Sequence, residues 1–317
     1  MTVLPRIEPM LATPGRLPVD DEQWSFEVKQ DGQRAMVYLP GDGTVLLRAR
    51  SGADITPAYP ELAGLGAVLR RPAVLDGEVI APDPEGRGDF ELLQSRMGLA
   101  GSAAKAARMA ATVPVHLVVF DVVFLEAESL IREPYAERRT VLEGLGLDGP
   151  YWSAPAAITG HGDRALETTR AAGLEGLVAK RLTSHYEPGV RSRSWTKIRN
   201  VHTIDVIVGG WTPGRGRLAG LPGALLVGRP QPDGTLLYAG SVGTGWTDRE
   251  RTALADHLHR TTTSTCPFHP RPTVAGAHWV EPRLVGEIRY AARTRAGLLR
   301  HPSWHRLRPD LTWQDIG

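Results

Sequence analysis

Cysteine occurs once in 317 residues, as Cys266, so the chain can form no internal disulfide and no cysteine-rich zinc site. Without a disulfide framework it is expected in the reducing cytosol, that is, a cytoplasmic location. A membrane is not expected either, because no apolar run approaches the length of a bilayer span. The longest, residues 113–125, is broken by Pro114, His116 and Asp121, and the opening MTVLPRIEPM lacks the apolar stretch and small-residue cleavage site of a secretory signal. Aromatic residues are sparse at 6%, yet 42% hydrophobic content supplies a packed core and a 23% charged fraction is that of a folded chain.

Lysine is also scarce. Four of the 37 basic residues are lysines (Lys29, Lys105, Lys180 and Lys197) and the other 33 are arginines. Such a bias replaces lysine wherever positive charge suffices, so the survivors should include places that need a primary amine. A guanidinium is planar, bulkier and too basic to become a nucleophile. Lys105, in the Ala-rich GSAAKAARMAA, has the setting of a surface helix, whereas the other three sit in short, unusual contexts. The net charge of +2 hides an asymmetry: residues 201–317 carry 14 arginines against nine acidic residues, and the remainder is slightly acidic. A basic C-terminal part fits a polyanionic partner.

Apolar alternation and turn residues predict strands at 24–28, 34–39, 44–50, 73–81, 114–125, 176–182 and 194–199, with helices near 89–97, 135–145 and 163–171. Asp31-Gly32 is a turn pair, which places Lys29 at the tip of a hairpin whose returning strand is 34–39. The mixture lacks strict strand–helix alternation and indicates an α+β domain with mainly antiparallel sheets over residues 1–200. Beyond it, short strands at 203–211, 223–229, 235–242, 280–290 and 298–307 with one helix near 248–259 suit a small all-β barrel of the oligonucleotide-binding (OB) type over 201–317. The Gly214-Arg215-Gly216-Arg217 cluster has the composition of a mobile basic loop.

The segment EVKQDGQR, residues 27–34, sets an amine, a carboxylate and a guanidinium around one tight turn. A lysine attacking phosphorus must be neutral, which desolvation or neighbouring positive charge promotes. Downstream follow RARSG (48–52), LDGEV (75–79), VFD (119–121), EGLVAK (175–180) and RSRSWTKIR (191–199). Taken singly, Glu78 is an ordinary turn residue, Phe120 a core aromatic, Glu175 and Lys180 surface charges, and Trp195 a structural residue. In this order and spacing the segments resemble the nucleotidyltransferase motifs of ATP-dependent DNA ligases, close to the short bacterial ligases and the ligase modules of bacterial end-joining proteins. The resemblance extends over most of the chain.

The resemblance implies an ATP-grasp-like nucleotidyltransferase domain of antiparallel sheets and helices followed by an OB-fold. Lys29 would attack the α-phosphorus of ATP to give a lysyl-AMP. Glu78 and Glu175 would serve Mg²⁺ or Mn²⁺ and the ribose hydroxyls. Phe120 and Val178 would cover the two faces of adenine, Lys180 and Lys197 would hold the α-phosphate, and Glu27 would lie in the nucleotide site. Arg34 and Arg50 would meet the ribose or the 5′-phosphate of a nick, and Asp31 would orient the nucleophile. Arg191, Arg215, Arg217 and Arg300 would contact DNA, the partner being nicked or broken duplex bound by a monomer, with DNA-end-joining proteins as further partners by analogy.

The resemblance is incomplete at its end. The family's last motif commonly reads Arg-x-Asp-Lys, whereas this chain has Arg308-Pro309-Asp310-Leu311, which points to slower lysine adenylylation. Arg199 likewise stands where a lysine is common. RNA ligation or another covalent nucleotidyl transfer is the nearest alternative. A nick- or end-binding protein with little catalysis is the alternative of another class, and the retained Lys29, Glu78, Glu175, Lys180 and Lys197 argue against it.

Overall fold

The computed structural model describes residues 4–294 and 296–316. The chain divides at Asn200–Val201 into two compact units.

The first unit contains two sheets. One runs in the order Leu11–Pro14, Arg191–Arg199, Gly176–Arg181, Trp24–Val28, Ile158–Thr159, antiparallel except where the first strand lies parallel to the second. The other runs Leu46–Ala49, Gln33–Leu39, Ala73–Ile80, His116–Leu125, Trp152–Ser153, Asp148–Gly149, with one parallel pairing at Leu117–Trp152. The expected hairpin around Lys29 is therefore corrected: Trp24–Val28 and Gln33–Leu39 belong to different sheets, and residues 29–32 are the crossing between them. Gly32 makes that crossing possible. A Cβ there would stand 2.9 Å from Glu78 Cγ and collide with the Val79 carbonyl, so only glycine lets the loop run this close to the strand bearing Glu78.

The period-2 alternation of strand side chains explains why the central strands are apolar on both faces. From Gln33–Leu39, Ala35, Val37 and Leu39 enter the main core with Leu75, Val119 and Leu142, while Met36 and Tyr38 enter a second cluster with Met10, Val74, Tyr186 and Trp195. Strand Trp24–Val28 is different: Trp24 and Phe26 pack with Ala165, Leu177 and Ile198 under helix Gly162–Ala171, leaving Ser25 and Glu27 on the other face. Helix Tyr135–Gly144 is tied to strand His116–Leu125 by Arg138, whose Nε and Nη2 donate to Asp121 at 2.8 and 2.9 Å with both side chains fully buried.

The second unit is an antiparallel, curled sheet in the order Leu236–Val242, Pro222–Pro230, His202–Pro213, His278–Tyr290, Thr262–Thr263, with Ser303–Leu307 also on His278–Tyr290. Val206, Val208, Leu225 and Val227 face one core beneath helix Asp248–Arg260, and Ile207 and Leu226 face another with Phe268 and Trp279. Thr247 and Glu250 close that helix with a reciprocal capping box. The expected strand 298–307 is two pieces, Leu299–Arg300 and Ser303–Leu307, because His301 takes φ 50° and Pro302 has no N–H to donate. The basic cluster at 214–217 leads into a single 3-10 turn, Gly216–Leu218. Among the described residues, no helix is long and apolar enough to cross a membrane.

Candidate active site

The two sheets of the first unit flank a cleft of about 230 Å³. Strand register fixes what lines it. Glu27, Val178 and Lys197 form one cross-strand row, and Ser25, Lys180 and Trp195 the next. On the opposite sheet Arg34 pairs directly with Glu78. Phe120 is displayed by a bulge: Asp76 pairs with Asp121 and Gly77 with Val119, so Phe120 is the extra residue, turned out of the ladder into the cleft.

Lys29 sits at the first residue of the crossing loop, its backbone N–H donating to the Gly176 carbonyl at 2.9 Å. Gly176 takes φ +137°, where a Cβ would strike the Ile198 carbonyl. The Lys29 ammonium donates to Glu175 Oε2 at 2.5 Å and to the Gln30 carbonyl at 3.3 Å, and Glu175 Oε1 meets Arg199 Nε at 3.1 Å. Lys197 lines the same cleft; burial and then the charges of Arg199, Lys29 and Arg191 lower its pKa.

Lys180 is fully buried, and its Nζ meets Glu27 Oε2 at 2.8 Å and the Phe120 carbonyl at 2.8 Å. Phe120, Tyr135 and Trp195 surround the ammonium at 4.7, 4.9 and 4.4 Å from their ring centres. Burial lowers the Lys180 pKa, with Glu27 opposing. Glu27 also accepts a hydrogen bond from the Tyr135 hydroxyl. Arg34 is held by Asp76 in a two-pronged pair at 2.5 and 2.6 Å, donates to the Met10 carbonyl at 3.0 Å, and stacks 4.6 Å from the centre of the Phe120 ring. Tyr186 hydroxyl donates to the same Asp76 at 2.5 Å.

Glu78 lines the cleft between Arg34 and Lys29, and burial pushes its carboxyl up to about 7 despite both cations. Among the described residues no group of three or more His, Cys, Asp or Glu side chains is arranged to hold a metal ion. Mg²⁺ does not require one: it keeps several waters and is bound through one or two carboxylates together with substrate phosphates. Glu78 is half-buried, and a carboxylate whose ionised form is disfavoured in this way gains from a cation beside it, so Glu78 fits such a site. Glu175, also assigned to metal from the sequence, is engaged with Lys29 and Arg199 in this structure.

The structure thus brings Lys29, Glu27, Arg34, Glu78, Phe120, Val178, Lys180 and Lys197 to one cleft, with the exposed Arg50 and Arg191 at its rim. Arg191 donates to the Ala12 carbonyl at 2.7 Å. Asp31 is half-buried in the crossing loop and outside the lining residues. Lys180 and Arg34, expected at phosphate or ribose, have their donors directed to Glu27, Asp76 and backbone carbonyls. Trp195 is buried and forms one wall, edge-on to Phe120. Arg215 and Arg217 are exposed in the second unit, and Arg300 is half-buried there. Sequence reasoning missed Tyr135, Tyr186 and the strand Leu11–Pro14, whose Leu11 and Ala12 line the cleft. Nothing local marks any of them.

The family model of the ATP dependent DNA ligase domain matches residues 9–199. The chain belongs to the ATP-dependent DNA ligases. The ligase C-terminal region matches residues 219–311. The "Multifunctional non-homologous end joining protein LigD" of Mycolicibacterium smegmatis is 39% identical over 97% of this chain and 39% of its own length, so the chain spans about two fifths of that relative. DNA ligase C1 of the same organism is 35% identical over 81% of this chain and 74% of its own. The solved structure of a mycobacterial DNA ligase D complexed with ATP and MES is 36% identical, covers 98% of both chains and superposes with a TM-score of 0.57. The first unit accordingly has the ligase nucleotidyltransferase fold and the second the ligase OB fold, and ATP is the nucleotide of this ligase family.

Proposed function

We propose that this chain seals 5′-phosphate/3′-hydroxyl nicks or breaks in duplex DNA, through a lysyl-AMP on Lys29 and a DNA-adenylate. The observation that carries the reading is the placement of Lys29, a rare amine in an arginine-rich chain, beside Glu175, with Glu78, Lys197 and Phe120 sharing its cleft.

In the first step Lys29 Nζ attacks the α-phosphorus of ATP. A P–N bond forms, the bond to pyrophosphate breaks, and Glu175 Oε2 is placed to take the proton that the amine gives up. Phe120 and Val178 receive the adenine between them, and Lys197 neutralises charge developing on the phosphoryl oxygens. The nick 5′-phosphate then takes AMP from Lys29, and the 3′-hydroxyl displaces AMP as the phosphodiester forms. A divalent cation, Mg²⁺ or Mn²⁺, held by Glu78 together with phosphate oxygens would supply charge neutralisation. Arginines of the basic second unit, Arg215, Arg217 and Arg300 among them, supply sequence-independent contacts to DNA phosphates.

The same reading extends to end-joining repair, supported by the LigD relatives, with the chain acting as a monomer beside end-joining proteins. The test is ATP-dependent sealing of a nicked duplex with a 5′-phosphate, in Mg²⁺ and in Mn²⁺, alongside a nicked RNA duplex. Sealing of DNA by wild type and none by Lys29→Ala is expected. Failure with both metals, or sealing confined to RNA, contradicts the reading.

A further inference from the structure

Asparagine is scarcer than lysine in this chain: Asn200 is the single one. It ends the first unit and is buried. Its side-chain Nδ2 donates to the Leu174 carbonyl at 2.9 Å and to Thr169 Oγ1 at 3.1 Å, and its backbone N–H donates to the Glu175 carbonyl at 2.9 Å. The neighbours settle which way the amide points. Leu174 offers a carbonyl, and the Thr169 hydroxyl donates its proton to the Leu166 carbonyl at 2.8 Å, so both sites need a donor. Asn200 Oδ1 has no hydrogen-bond partner among the described residues. Burying it unpaired is unfavourable, so what this side chain contributes is its two N–H donors.

All three bonds tie down the segment that carries Glu175. After helix Gly162–Ala171 the chain passes through a turn at 172–175 before entering strand Gly176–Arg181. Gly176 lets the turn come this close, since a Cβ there would stand 3.0 Å from Asn200 N. Arg199 and Asn200, consecutive in the chain, hold Glu175 at its two ends: Arg199 Nε meets the carboxylate at 3.1 Å, and Asn200 bonds the main chain. The Arg199 side chain is 45% exposed and its pair is screened by water, whereas the Asn200 bonds lie in the interior. Glu175 then holds the Lys29 ammonium, and the Gly176 carbonyl holds the Lys29 backbone N–H. Both anchors of Lys29 thus hang on the segment that Asn200 clips.

We propose that Asn200 is a positioning residue for the first chemical step: by fixing the main chain at 174–175 it sets where the Glu175 carboxylate stands, and through it where Lys29 meets the α-phosphorus. The proposal rests on the ligase reading above. Asn200 is outside the lining of the nucleotide cleft, so its effect passes through Glu175 and falls on the rate of lysine adenylylation rather than on ATP binding.

The test measures single-turnover AMP uptake over a range of ATP concentrations in wild type, Asn200→Ala, Glu175→Gln and the double variant. Asn200→Ala is expected to slow uptake at saturating ATP about tenfold, as a small displacement of a reacting group does, and to leave half-saturating ATP within about twofold. In the Glu175→Gln background it adds less than about twofold, because two changes that act through one contact are not additive. Asn200→Ser, which keeps one short donor, loses less than Asn200→Ala and carries the same comparison if the alanine variant does not fold. Amide hydrogen exchange reads the clip without any chemistry: the Lys29 N–H should exchange about tenfold faster in the variant while helix Tyr135–Gly144 is unchanged. Uptake within about twofold of wild type, losses that multiply in the double variant, a loss confined to half-saturating ATP, or unchanged exchange at Lys29 each overturn the proposal. If wild type takes up no AMP, the ligase reading falls, and exchange at Lys29 still decides the clip.

Discussion

Glu175 holds Lys29 with one carboxylate oxygen at 2.5 Å and Arg199 with the other at 3.1 Å. The two cations come from the crossing loop and from the strand Arg191–Arg199, so one side chain sets where the nucleophile stands relative to the sheet. Glu175→Gln keeps the shape but weakens both contacts and removes the proton acceptor. Since small displacements of a reacting group cost on the order of 10²-fold in rate, covalent AMP uptake should slow by about that factor while fold and thermal midpoint hold. A rate within twofold of wild type removes Glu175 from the mechanism.

Glu78 gives the site a pH dependence. Its carboxyl is raised to about 7 by burial, so the folded protein holds a proton there that the unfolded chain releases near the ordinary glutamate value of about 4.5. Its contribution to stability is thus fully present below that ordinary value and is lost as pH rises through about 7. In metal-free protein the urea midpoint of wild type should fall relative to Glu78→Gln between pH 5.5 and 8, and Mg²⁺ should narrow the gap at pH 8. Parallel profiles for the two proteins contradict this assignment.

Arg138 and Asp121 are both inaccessible to solvent, with the guanidinium also donating to the Glu133 and Ser184 carbonyls at 2.7 and 3.0 Å. Removing one partner strands the other charge. Arg138→Met should cost ~3–5 kcal/mol of unfolding free energy, read from urea denaturation. The double variant Arg138→Met/Asp121→Asn should recover part of it, and equal costs for single and double variants would contradict the pairing.

Leu311 occupies the place where the ligase family commonly has lysine, and it packs against the cluster of Ile207, Leu226, Phe268 and Trp279. Arg308 of the same motif is paired with Asp205 at 2.9 Å and Asp310 at 2.8 Å. Leu311→Lys should therefore destabilise the second unit by about 1–2 kcal/mol, the loss from exposing a partly buried leucine. A thermal midpoint unchanged from wild type would show that Leu311 is not an apolar anchor.

Much of this architecture was legible because alternation and turn residues are local signals. Strands such as Trp24–Val28 and helices such as Gly162–Ala171 fall close to their expected ranges. The hairpin at Lys29 failed for the complementary reason: alternation shows that two strands exist, but not which distant strands bond to them. Here Gly176–Arg181 and Ala73–Ile80 take the edges that a hairpin would have paired. In the site, the lysines and glutamates stood out by scarcity and by motif order. Their supports did not. Tyr135 on Glu27 and Tyr186 on Asp76 act across 108 and 110 residues, and long-range contacts of this kind leave no periodic trace.

The central claim is that Lys29 carries AMP. The direct measurement is the denatured intact mass of wild type and Lys29→Ala before and after incubation with ATP and Mg²⁺. The account predicts the mass gain of one AMP on wild type alone, present on purification or acquired with ATP. An AMP adduct on Lys29→Ala, or none on wild type under either condition, contradicts it.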